Sequence, residues 1–389
     1  MSANPRPGRD PRLDFFRGSA MFIIFIAHCR GNVLWDYIPA RFGLSDAADM
    51  FVFLSGMAAS IAFGGSFDRH GFVIGTVRIL YRCWQLFVAH LGLFFASAAL
   101  VVAGTRWYGD TDYVAVLGLQ HFFARPQDAL LGLFTLTYVP HYFDILPLYI
   151  VVLAMVPIAM TLARVHPLLV PTASAAFYAV TVHWHLNLPA HADDQPQWFF
   201  NPLAWQLIFF TGFCLRRGWL RVSLESRALL WGSIAFLLVG LSISLPSVFE
   251  RIPPIDAMRL WIMDHSDKTN LDMLQYLHFL ASVYVVLVLL KGREEILLSP
   301  PLKPFVKCGQ QALAVFVSGM VLSHAASMVF DHAGTGWRVQ IAVNVVCFGL
   351  LFAVAFLVAW IKSTPWKGPG PRARDKVAAP ASASIAEAY

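Results

Sequence analysis

The chain has 389 residues, of which 58% are apolar and 13% are charged, and its mean hydropathy is +0.60. A soluble protein of this size carries about a quarter charged residues, so the composition excludes an ordinary soluble enzyme and indicates a polytopic membrane protein. The net charge of +6 would fit nucleic-acid binding. That interpretation fails, because the basic residues lie between apolar segments, as membrane topology predicts.

Ten segments are long and apolar enough to cross a bilayer, which predicts an all-α fold, a polytopic transmembrane bundle of about ten spanning helices. An eleventh apolar stretch, residues 129–140, is too short to cross. We interpret it as a re-entrant or interfacial piece packed against the bundle. The ten predicted spans cover residues 16–34, 48–64, 83–103, 145–164, 167–185, 201–216, 228–246, 274–291, 306–329 and 339–361.

The basic residues are distributed unevenly over the loops between these spans. Of the 29 Lys and Arg residues, 21 fall on the side of the N-terminus and 8 on the other side. Because cytoplasmic loops are enriched in Lys and Arg, both termini are expected in the cytoplasm. The chain then divides into a cytoplasmic leader (1–14), a membrane domain (15–363) and a tail (364–389) whose Gly, Pro, Ala and Ser content predicts disorder.

The sequence has no pattern for a metal site or a permanently bound cofactor. Its five cysteines are scattered through apolar segments without a CxxC pair, so neither a zinc site nor a disulfide framework is predicted. HExxH, GxSxG, P-loop and Rossmann patterns are absent from the sequence. Candidate functional groups must therefore be sought among the polar side chains in or beside the spans.

The first span carries Arg17 and His28 in the run LDFFRGSAMFIIFIAHCR. Eleven helical residues make almost three turns, so both side chains lie on one face, about 16 Å apart along the axis. Asp14 precedes Arg17 by three residues and is close enough to pair with it. Such groups are seldom kept in a membrane without a purpose. Arg17 alone would also serve as an interfacial anchor, and His28 alone as a hydrogen-bonded core residue.

Two acidic residues open the second span in the run DAADMFVFLSG. Asp46 or Asp49, at the external end of this helix, could reach His28, fix its tautomer and strengthen it as a base. The alternative is that either carboxylate only caps the helix N-terminus. The sequence leaves open which of the two has which role.

A stripe of polar residues lies at the cytoplasmic entry to the third span. Arg78, Arg82 and Gln85 follow the spacing i, i+4, i+7, which places them on one helix face. Two arginines on one stripe suit the phosphates of a nucleotide-like donor. The alternative is that they reflect only the enrichment of basic residues on the cytoplasmic side.

Further polar groups lie at the external ends of the fourth and sixth spans. Tyr and Asp side chains in such a place are typical partners of sugar hydroxyls, and buried amides need polar partners. Anchoring at the membrane interface is the alternative for the tyrosines. His278 and His324 are interpreted as structural histidines. The candidate acceptor-binding residues are Tyr138, His141, Asp144, Asn201, Trp205 and Gln206, with Tyr142 beside them.

Four segments, taken together and in order, resemble the OpgC family of bacterial inner-membrane proteins, which are succinyltransferases acting on osmoregulated periplasmic glucans. The resemblance covers about residues 9–362. The wider acyltransferase-3-like superfamily of membrane proteins has a hallmark of Arg or Lys, ten residues, then His, which Arg17 and His28 fit. The four segments are RLDFFRGSAMFIIFIAH, DMFVFLSG, TLTYVPHYFDILPLYIVVLAMVP and WFFNPLAWQL.

Two elements depart from the superfamily pattern. The element that begins at Asp49 differs at Met50 and Val52. The paired arginines of the third span, Arg78 and Arg82, are spaced i, i+4 rather than i, i+3. The likeness at both places is therefore partial.

The resemblance implies an O-acyltransferase of the bacterial inner membrane. It would move an acyl group, succinyl in this family, from a cytoplasmic acyl-CoA to hydroxyls of a periplasmic glucan. Acyl-CoA would be a co-substrate and not a bound cofactor. The implied catalytic residues are His28, Asp49 and Asp14, and the implied donor-binding residues are Arg17, Arg78, Arg82 and Gln85.

A transporter is the alternative from a different functional class. Intramembrane His, Asp and Arg also suit a proton-coupled small-molecule transporter or flippase. For the acyltransferase, the expected partners are acyl-CoA, a carbohydrate acceptor and membrane lipids, with a homo-oligomer as an open possibility. No nucleic-acid partner is expected.

Overall fold

The computed structural model describes residues 10–192 and 195–367. Over these residues the fold is an all-α helix bundle with one small β-hairpin, so the predicted fold class is confirmed. Residues 1–9 and 368–389 lie outside the described residues. The boundaries of the leader and of the disordered tail therefore stay predictions.

The longer helices are numbered here in chain order, and shorter helical turns connect several of them. The hairpin pairs two antiparallel strands, β1 (Pro189–Ala192) and β2 (Gln195–Gln197). The helices are α1 (Pro11–His28), α2 (Ala47–Ala59), α3 (Gly65–Tyr108), α4 (Pro126–Thr135), α5 (Ile145–Ala154), α6 (Val156–Val165), α7 (Leu169–His183), α8 (Pro202–Arg217), α9 (Arg227–Ser244), α10 (Pro253–His265), α11 (Met273–Leu290), α12 (Lys303–Gln310), α13 (Ala312–Ala333) and α14 (Trp337–Lys362).

Side-chain caps and prolines set where several helices begin. Asp10 accepts a hydrogen bond from the backbone N–H of Arg12, and Pro11 occupies the first turn, where a missing N–H costs nothing. Asn201 caps α8 in the same way ahead of Pro202. Both helices therefore start where the sequence alone supplies an N-terminal signal.

Six helical segments of the described chain are long and apolar enough to cross a membrane. The longest, Ala47–Tyr108, contains two of the predicted spans, 48–64 and 83–103. Three further predicted spans fall on α1, α7 and α8, which are shorter or more polar. Every predicted span thus corresponds to helix, and the number of ten crossings stays a prediction.

The prediction that the first span continues to residue 34 is wrong. α1 ends at His28, and Asn32 then caps a short 3-10 turn while its amide donates to the side chain of Asn344 at 2.8 Å. His28 is therefore the last residue of its helix and does not lie well inside a longer one. We call this end of the bundle the His28 end, and the opposite end, where α1 begins, the Arg12 end.

The core of the bundle lies around α8. Every residue from Ala204 to Cys214 is buried, and α8 packs against α2 and α7. In α9, α11 and α14, only 17%, 28% and 22% of the residues in the most apolar stretch are buried. A helix that is buried on all sides lies in the core of a bundle, so α8 is the central helix. α9, α11 and α14 expose apolar faces, which suit contact with lipid.

α1 and α12 approach each other so closely that glycine is required at the contact. A Cβ atom at Gly18 would collide with the carbonyl oxygen of Phe305, and one at Gly309 would collide with the carbonyl oxygen of Asp14. Small residues allow two helix backbones to come this near. The two glycines therefore fix the position of α1 in the bundle, and with it the position of His28.

α3 is 44 residues long and bends near its start. Gly71 has φ 81° and ψ 179°, a conformation that glycine adopts without the steric cost of a Cβ atom. At 1.5 Å per residue, the part after Gly71 is about 55 Å long, which exceeds the thickness of a bilayer core. The predicted stripe of Arg78, Arg82 and Gln85 lies on this part.

α4 is the helix within the short apolar stretch that was predicted not to cross. Its ten residues are too few to span a bilayer. It buries Ala129 and Leu133 while Leu131 and Phe134 are exposed. One face thus packs on the bundle and the other faces outward, as an interfacial piece would.

The β-hairpin was not predicted from the sequence. Its strands have four and three residues, which is too short for an alternating pattern to be recognised. The backbone N–H of Val139 donates to the carbonyl of Ala190 at 3.0 Å, and Nε1 of Trp198 donates to the carbonyl of Pro189 at 3.0 Å. These bonds hold the hairpin against the segment that leads to Tyr142.

Candidate active site

His28, at the end of α1, is oriented by its own helix. Its Nδ1 atom lies 2.7 Å from the carbonyl oxygen of Ile24, one turn earlier. Because a carbonyl only accepts, Nδ1 carries the hydrogen and donates, and the lone pair of the neutral ring is then on Nε2. The ring is half-buried. A backbone carbonyl thus occupies the nitrogen for which the sequence suggested an aspartate.

Tyr142 lies edge-on to the His28 ring, with the ring centroids 5.4 Å apart. Its φ angle is 73°, in the left-handed region that non-glycine residues rarely adopt. Its side chain is 47% exposed, so packing of the ring does not explain the strained backbone. Strained residues of this kind cluster at functional sites. Tyr142 is therefore a candidate functional residue, although the sequence alone gave no reason to prefer it to Tyr138 or His141.

Two charged side chains act electrostatically on His28, namely Asp46 and Lys268. Nζ of Lys268 donates a hydrogen bond to Oδ2 of Asp46, and the two form an ion pair. Asp46 also caps α2 by accepting from the backbone N–H of Ala48 at 2.8 Å. The carboxylate whose charge reaches His28 is therefore Asp46, and its lysine partner comes from the short segment between α10 and α11.

Asp49 is fully buried and engaged elsewhere. Its carboxylate accepts from the backbone N–H of Asp46 at 2.8 Å and from Nε2 of Gln275 at 2.9 and 3.0 Å. Asp46 and Asp49 together form a capping box at the start of α2. Of the alternatives that the sequence left open, the structure thus gives both carboxylates a capping role. The catalytic role of Asp49 stays a prediction.

Asn201 and Trp205 hold the loop that carries Lys268. The amide of Asn201 donates to Asn270 at 2.7 Å, and its backbone N–H donates to the carbonyl of Thr269 at 3.1 Å. Nε1 of Trp205 donates to the carbonyls of Lys268 and Thr269 at 3.1 Å each. Both side chains are fully buried, so the structure uses their polar atoms to position this loop.

Gln206 and Tyr138 are likewise buried. The Gln206 carbonyl accepts from the Ser174 hydroxyl at 2.6 Å, and its amide donates to the Ser174 backbone at 2.9 Å. The Tyr138 ring stacks on His121 at 5.3 Å and lies 6.1 Å from the ring of Phe94. A role in acceptor binding stays a prediction for both residues.

His141 and Asp144 flank Tyr142 in the chain. The half-buried His141 ring lies 6.3 Å from that of Tyr142 and 6.2 Å from that of Phe199. Asp144 is buried at the start of α5. His141, one of the acceptor-binding residues predicted from the sequence, thus has a ring contact with Tyr142, which itself contacts His28.

At the Arg12 end, α1 presents Asp14 and Arg17. Asp14 is buried and Arg17 is half-buried. Arg17 lies about 16 Å along the helix from His28. Arg216, at the C-terminus of α8, acts electrostatically on Asp10 and so belongs to the same end. Within residues 10–192 and 195–367, the buried Nε of Arg216 has no hydrogen-bond partner. In the sequence, Arg216 is one of the 21 basic residues on the predicted cytoplasmic side.

The predicted stripe on α3 is present as a helix face. Arg82 is half-buried and donates to the side chain of Gln85 at 3.0 Å, whereas Arg78 is exposed. The spacing i, i+3 between Arg82 and Gln85 allows this contact on a helix. The role of the stripe in donor binding stays a prediction.

The model of the OpgC protein family matches residues 9–363. The chain belongs to the OpgC protein family. No curated protein and no solved structure gave a match. The family membership predicted from the four sequence segments is thus confirmed, and membership of the acyltransferase-3-like superfamily stays a prediction.

The match extends from the start of α1 to the end of α14, so it includes the whole His28 end of this OpgC-family chain. At that end, a basic imidazole nitrogen lies near a strained tyrosine and a carboxylate–lysine pair. Such a set can take a proton from an alcohol and stabilise the imidazolium that results. Among the described residues, no group of three His, Cys, Asp or Glu side chains could hold a metal ion.

Proposed function

We propose that this OpgC-family protein is a membrane-embedded O-acyltransferase that moves a succinyl group from a cytoplasmic acyl-CoA to hydroxyls of a periplasmic glucan. Family membership over residues 9–363 supports acyl transfer. The observation that carries the chemistry is the His28 ring, which donates from Nδ1 to Ile24 and keeps Nε2 for a proton. The predicted topology, with both termini in the cytoplasm, places this ring on the periplasmic side.

The donor enters at the Arg12 end of the bundle. Its phosphates are bound by Arg17 and Arg216, with Arg78 and Arg82 on α3 as further cations on the predicted cytoplasmic side. Arginine suits phosphate because its planar guanidinium donates two parallel hydrogen bonds. The buried Nε of Arg216, which lacks a partner among the described residues, supports this assignment. The pantetheine arm then covers the distance of about 16 Å between Arg17 and His28.

The acceptor meets the thioester at His28. Nε2 of His28 takes the proton of a glucan hydroxyl while the hydroxyl oxygen attacks the thioester carbonyl carbon. The C–O bond forms, the C–S bond breaks, and its electron pair leaves with the sulfur of coenzyme A. The sulfur then receives the proton held by His28. The charge of Asp46, fixed by Lys268, stabilises the imidazolium between these steps.

Labelled donor tests this proposal in sealed vesicles. The purified protein is reconstituted in one orientation, with radiolabelled succinyl-CoA on the side of the Arg12 end and glucan on the other side. We expect label in ester linkage on the glucan, and none when the two substrates are exchanged. Labelled small molecule that crosses the membrane without attachment to glucan would instead establish the transporter.

Mass spectrometry of glucans from cells with and without the gene names the acyl group. We expect the succinyl mass increment to disappear when the gene is deleted and to return on complementation. Unchanged glucans would exclude this acceptor, and a different lost increment would replace succinyl by another acyl group.

A further inference from the structure

A second imidazole, that of His324, lies beside the same tyrosine as His28. The His324 ring centroid is 6.2 Å from that of Tyr142, which in turn is 5.4 Å from that of His28. His28 and His324 also interact electrostatically. Two imidazoles, from α1 and α13, thus border one half-exposed aromatic ring at the His28 end.

The relative position of α1 and α13 is fixed just beyond the two histidines. The backbone N–H of Arg30 donates to the hydroxyl of Ser327 at 2.8 Å, and its guanidinium pairs with Asp331 at 2.5 Å. The hydroxyl of Tyr113 also donates to Asp331, at 3.2 Å. Burial and the nearby Asp331 charge raise the pKa of Tyr113 to about 12, so this hydroxyl keeps its proton. The proximity of His28 and His324 is therefore maintained by several polar contacts.

His324 has a ring nitrogen for which the described residues supply no hydrogen-bond partner. The residue is 8% exposed, and its Nε2 atom is buried without a hydrogen-bond partner in the described part of the chain. The great majority of buried polar side-chain atoms have a partner. An exception beside the proposed reaction centre points to a partner that arrives with the substrate.

His278 supplies an internal comparison for this argument. Its Nε2 is also buried without a partner in the part of the chain that the structure describes, and its Nδ1 is 2.8 Å from the Ser45 hydroxyl. Two glycines enclose its ring: a Cβ atom at Gly240 would lie only 2.6 Å from Nε2, and one at Gly43 would clash with the ring carbon between the nitrogens. The space around His278 is therefore filled by backbone, so this ring serves as a structural control.

We infer that His324 is a further catalytic residue, whose Nε2–H donates a hydrogen bond to the thioester carbonyl oxygen as that oxygen becomes an oxyanion. This inference rests on the proposed acyltransferase function. While the hydroxyl oxygen attacks the carbonyl carbon and His28 takes its proton, the C=O electron pair moves to the carbonyl oxygen. His324 stabilises that charge until the C=O bond re-forms and the C–S bond breaks, and it keeps its own proton throughout.

A donor aimed at a developing oxyanion acts on the rate and not on substrate binding. Loss of one such donor lowers kcat by about 10²- to 10³-fold. The His324→Leu variant should therefore show this loss of kcat with little change in the KM for succinyl-CoA. His324→Gln should keep part of the activity, because the Gln amide nitrogen reaches about as far as Nε2 of histidine.

The matched control is His278→Leu, which removes a buried imidazole outside the proposed site. We expect it to lower the melting temperature while kcat per folded molecule stays near the wild-type value. Full kcat in His324→Leu, or an equal loss of kcat in His278→Leu, would overturn the inference.

If His324→Leu does not fold, a comparison of two amide variants tests the catalytic role of His324. His324→Gln and His324→Asn both keep an amide, but the shorter Asn side chain places it near the position of Nδ1. We expect Gln to be at least tenfold more active than Asn, and equal activity would overturn the inference. Failure of the proposed function is distinguished from these results, because the wild-type protein would then transfer no label at all.

Discussion

Nδ1 of His28 donates to the carbonyl oxygen of Ile24 at 2.7 Å, so the helix backbone itself sets the tautomer of the proposed base. In a triad, a carboxylate has that role, and its removal presents the wrong nitrogen to the substrate. Here no single side chain can be removed to change the tautomer. In the proposed reaction, the charge of Asp46 therefore acts on His28 from a distance, while the end of the helix orients the ring.

The ion pair between Asp46 and Lys268 should couple α2 to the loop before α11. The side chains are 20% and 40% exposed, so we expect a coupling free energy of about 0.2–1 kcal/mol. The measurement is a double-mutant cycle of Asp46→Asn and Lys268→Met by thermal unfolding in detergent. Activity should fall in each variant without being abolished.

The pair Lys291–Glu225 is the control for this cycle, because its side chains are 53% and 81% exposed. Its coupling should be close to zero. Strictly additive effects of the Asp46 and Lys268 substitutions, on both stability and activity, would contradict the account.

Replacement of Tyr142 by glycine should separate stability from activity. The φ angle of 73° costs a tyrosine about 1–3 kcal/mol, which glycine does not incur, while the added freedom of the unfolded chain offsets about 0.4–1 kcal/mol. We expect an unfolding free energy equal to or above that of the wild type, together with reduced transfer. Tyr37→Gly, at a more exposed tyrosine without positive φ, should leave transfer unchanged.

The readouts are the melting temperature and the rate of transfer to glucan. A Tyr142→Gly protein that is less stable than the wild type but transfers at the normal rate would show that the ring only packs. We expect the opposite, namely stability at or above the wild-type level together with reduced transfer.

Asn201 should act on folding and not on acceptor affinity. Its buried amide donates at 2.6 Å to the carbonyl of Leu186 and at 2.7 Å to Asn270. Asn201→Ala leaves these acceptors without that donor, so we expect a loss of about 1–3 kcal/mol in the free energy of unfolding. The KM for the glucan should change little in the protein that folds.

Gln197→Ala, at an exposed position of the hairpin, is the control and should be neutral. If Asn201→Ala were stable but had a greatly raised KM for the glucan, the residue would be an acceptor ligand. The substrate-binding role expected from the sequence would then be correct.

Gly309→Val should destabilise the bundle more than Gly349→Val. A side chain at Gly309 meets the backbone of Asp14, whereas none of the residues that the structure describes lies within 4 Å of a Cβ atom at Gly349. Because both residues are in helices, the effect of valine on helix propensity is the same in the two variants. Only the steric clash differs between them. We expect a difference of at least about 1–3 kcal/mol by thermal unfolding, and equal losses would contradict the close packing of α1 on α12.

Apolar length and the distribution of basic residues were enough to predict the helical architecture, because both reflect the membrane directly. The end of α1 is mispredicted even though the sequence carries a local stop signal, because Arg30, Gly31 and Asn32 interrupt the apolar run and Gly31 has φ 82°. The contact of Asn32 with Asn344 then holds the chain after the break. The hairpin was missed because its strands are too short for a periodic signal.

The candidate site was predictable where residues share one helix, and not where distant segments meet. Arg17 and His28 were found by their spacing on α1. Lys268 lies 222 residues from Asp46 in the chain, and the sequence contains no signal for that contact. His324 was interpreted as structural, because a lone histidine in an apolar helix carries no indication of which rings it will lie beside.

The most direct test of the account is acyl transfer by His28→Ala in oriented vesicles. The control is His183→Ala, an exposed histidine at the end of α7. We predict that His28→Ala folds and inserts like the wild type but transfers succinyl to glucan about 10²- to 10⁴-fold more slowly, while His183→Ala transfers at the normal rate. A His28→Ala protein with wild-type transfer would contradict the central claim.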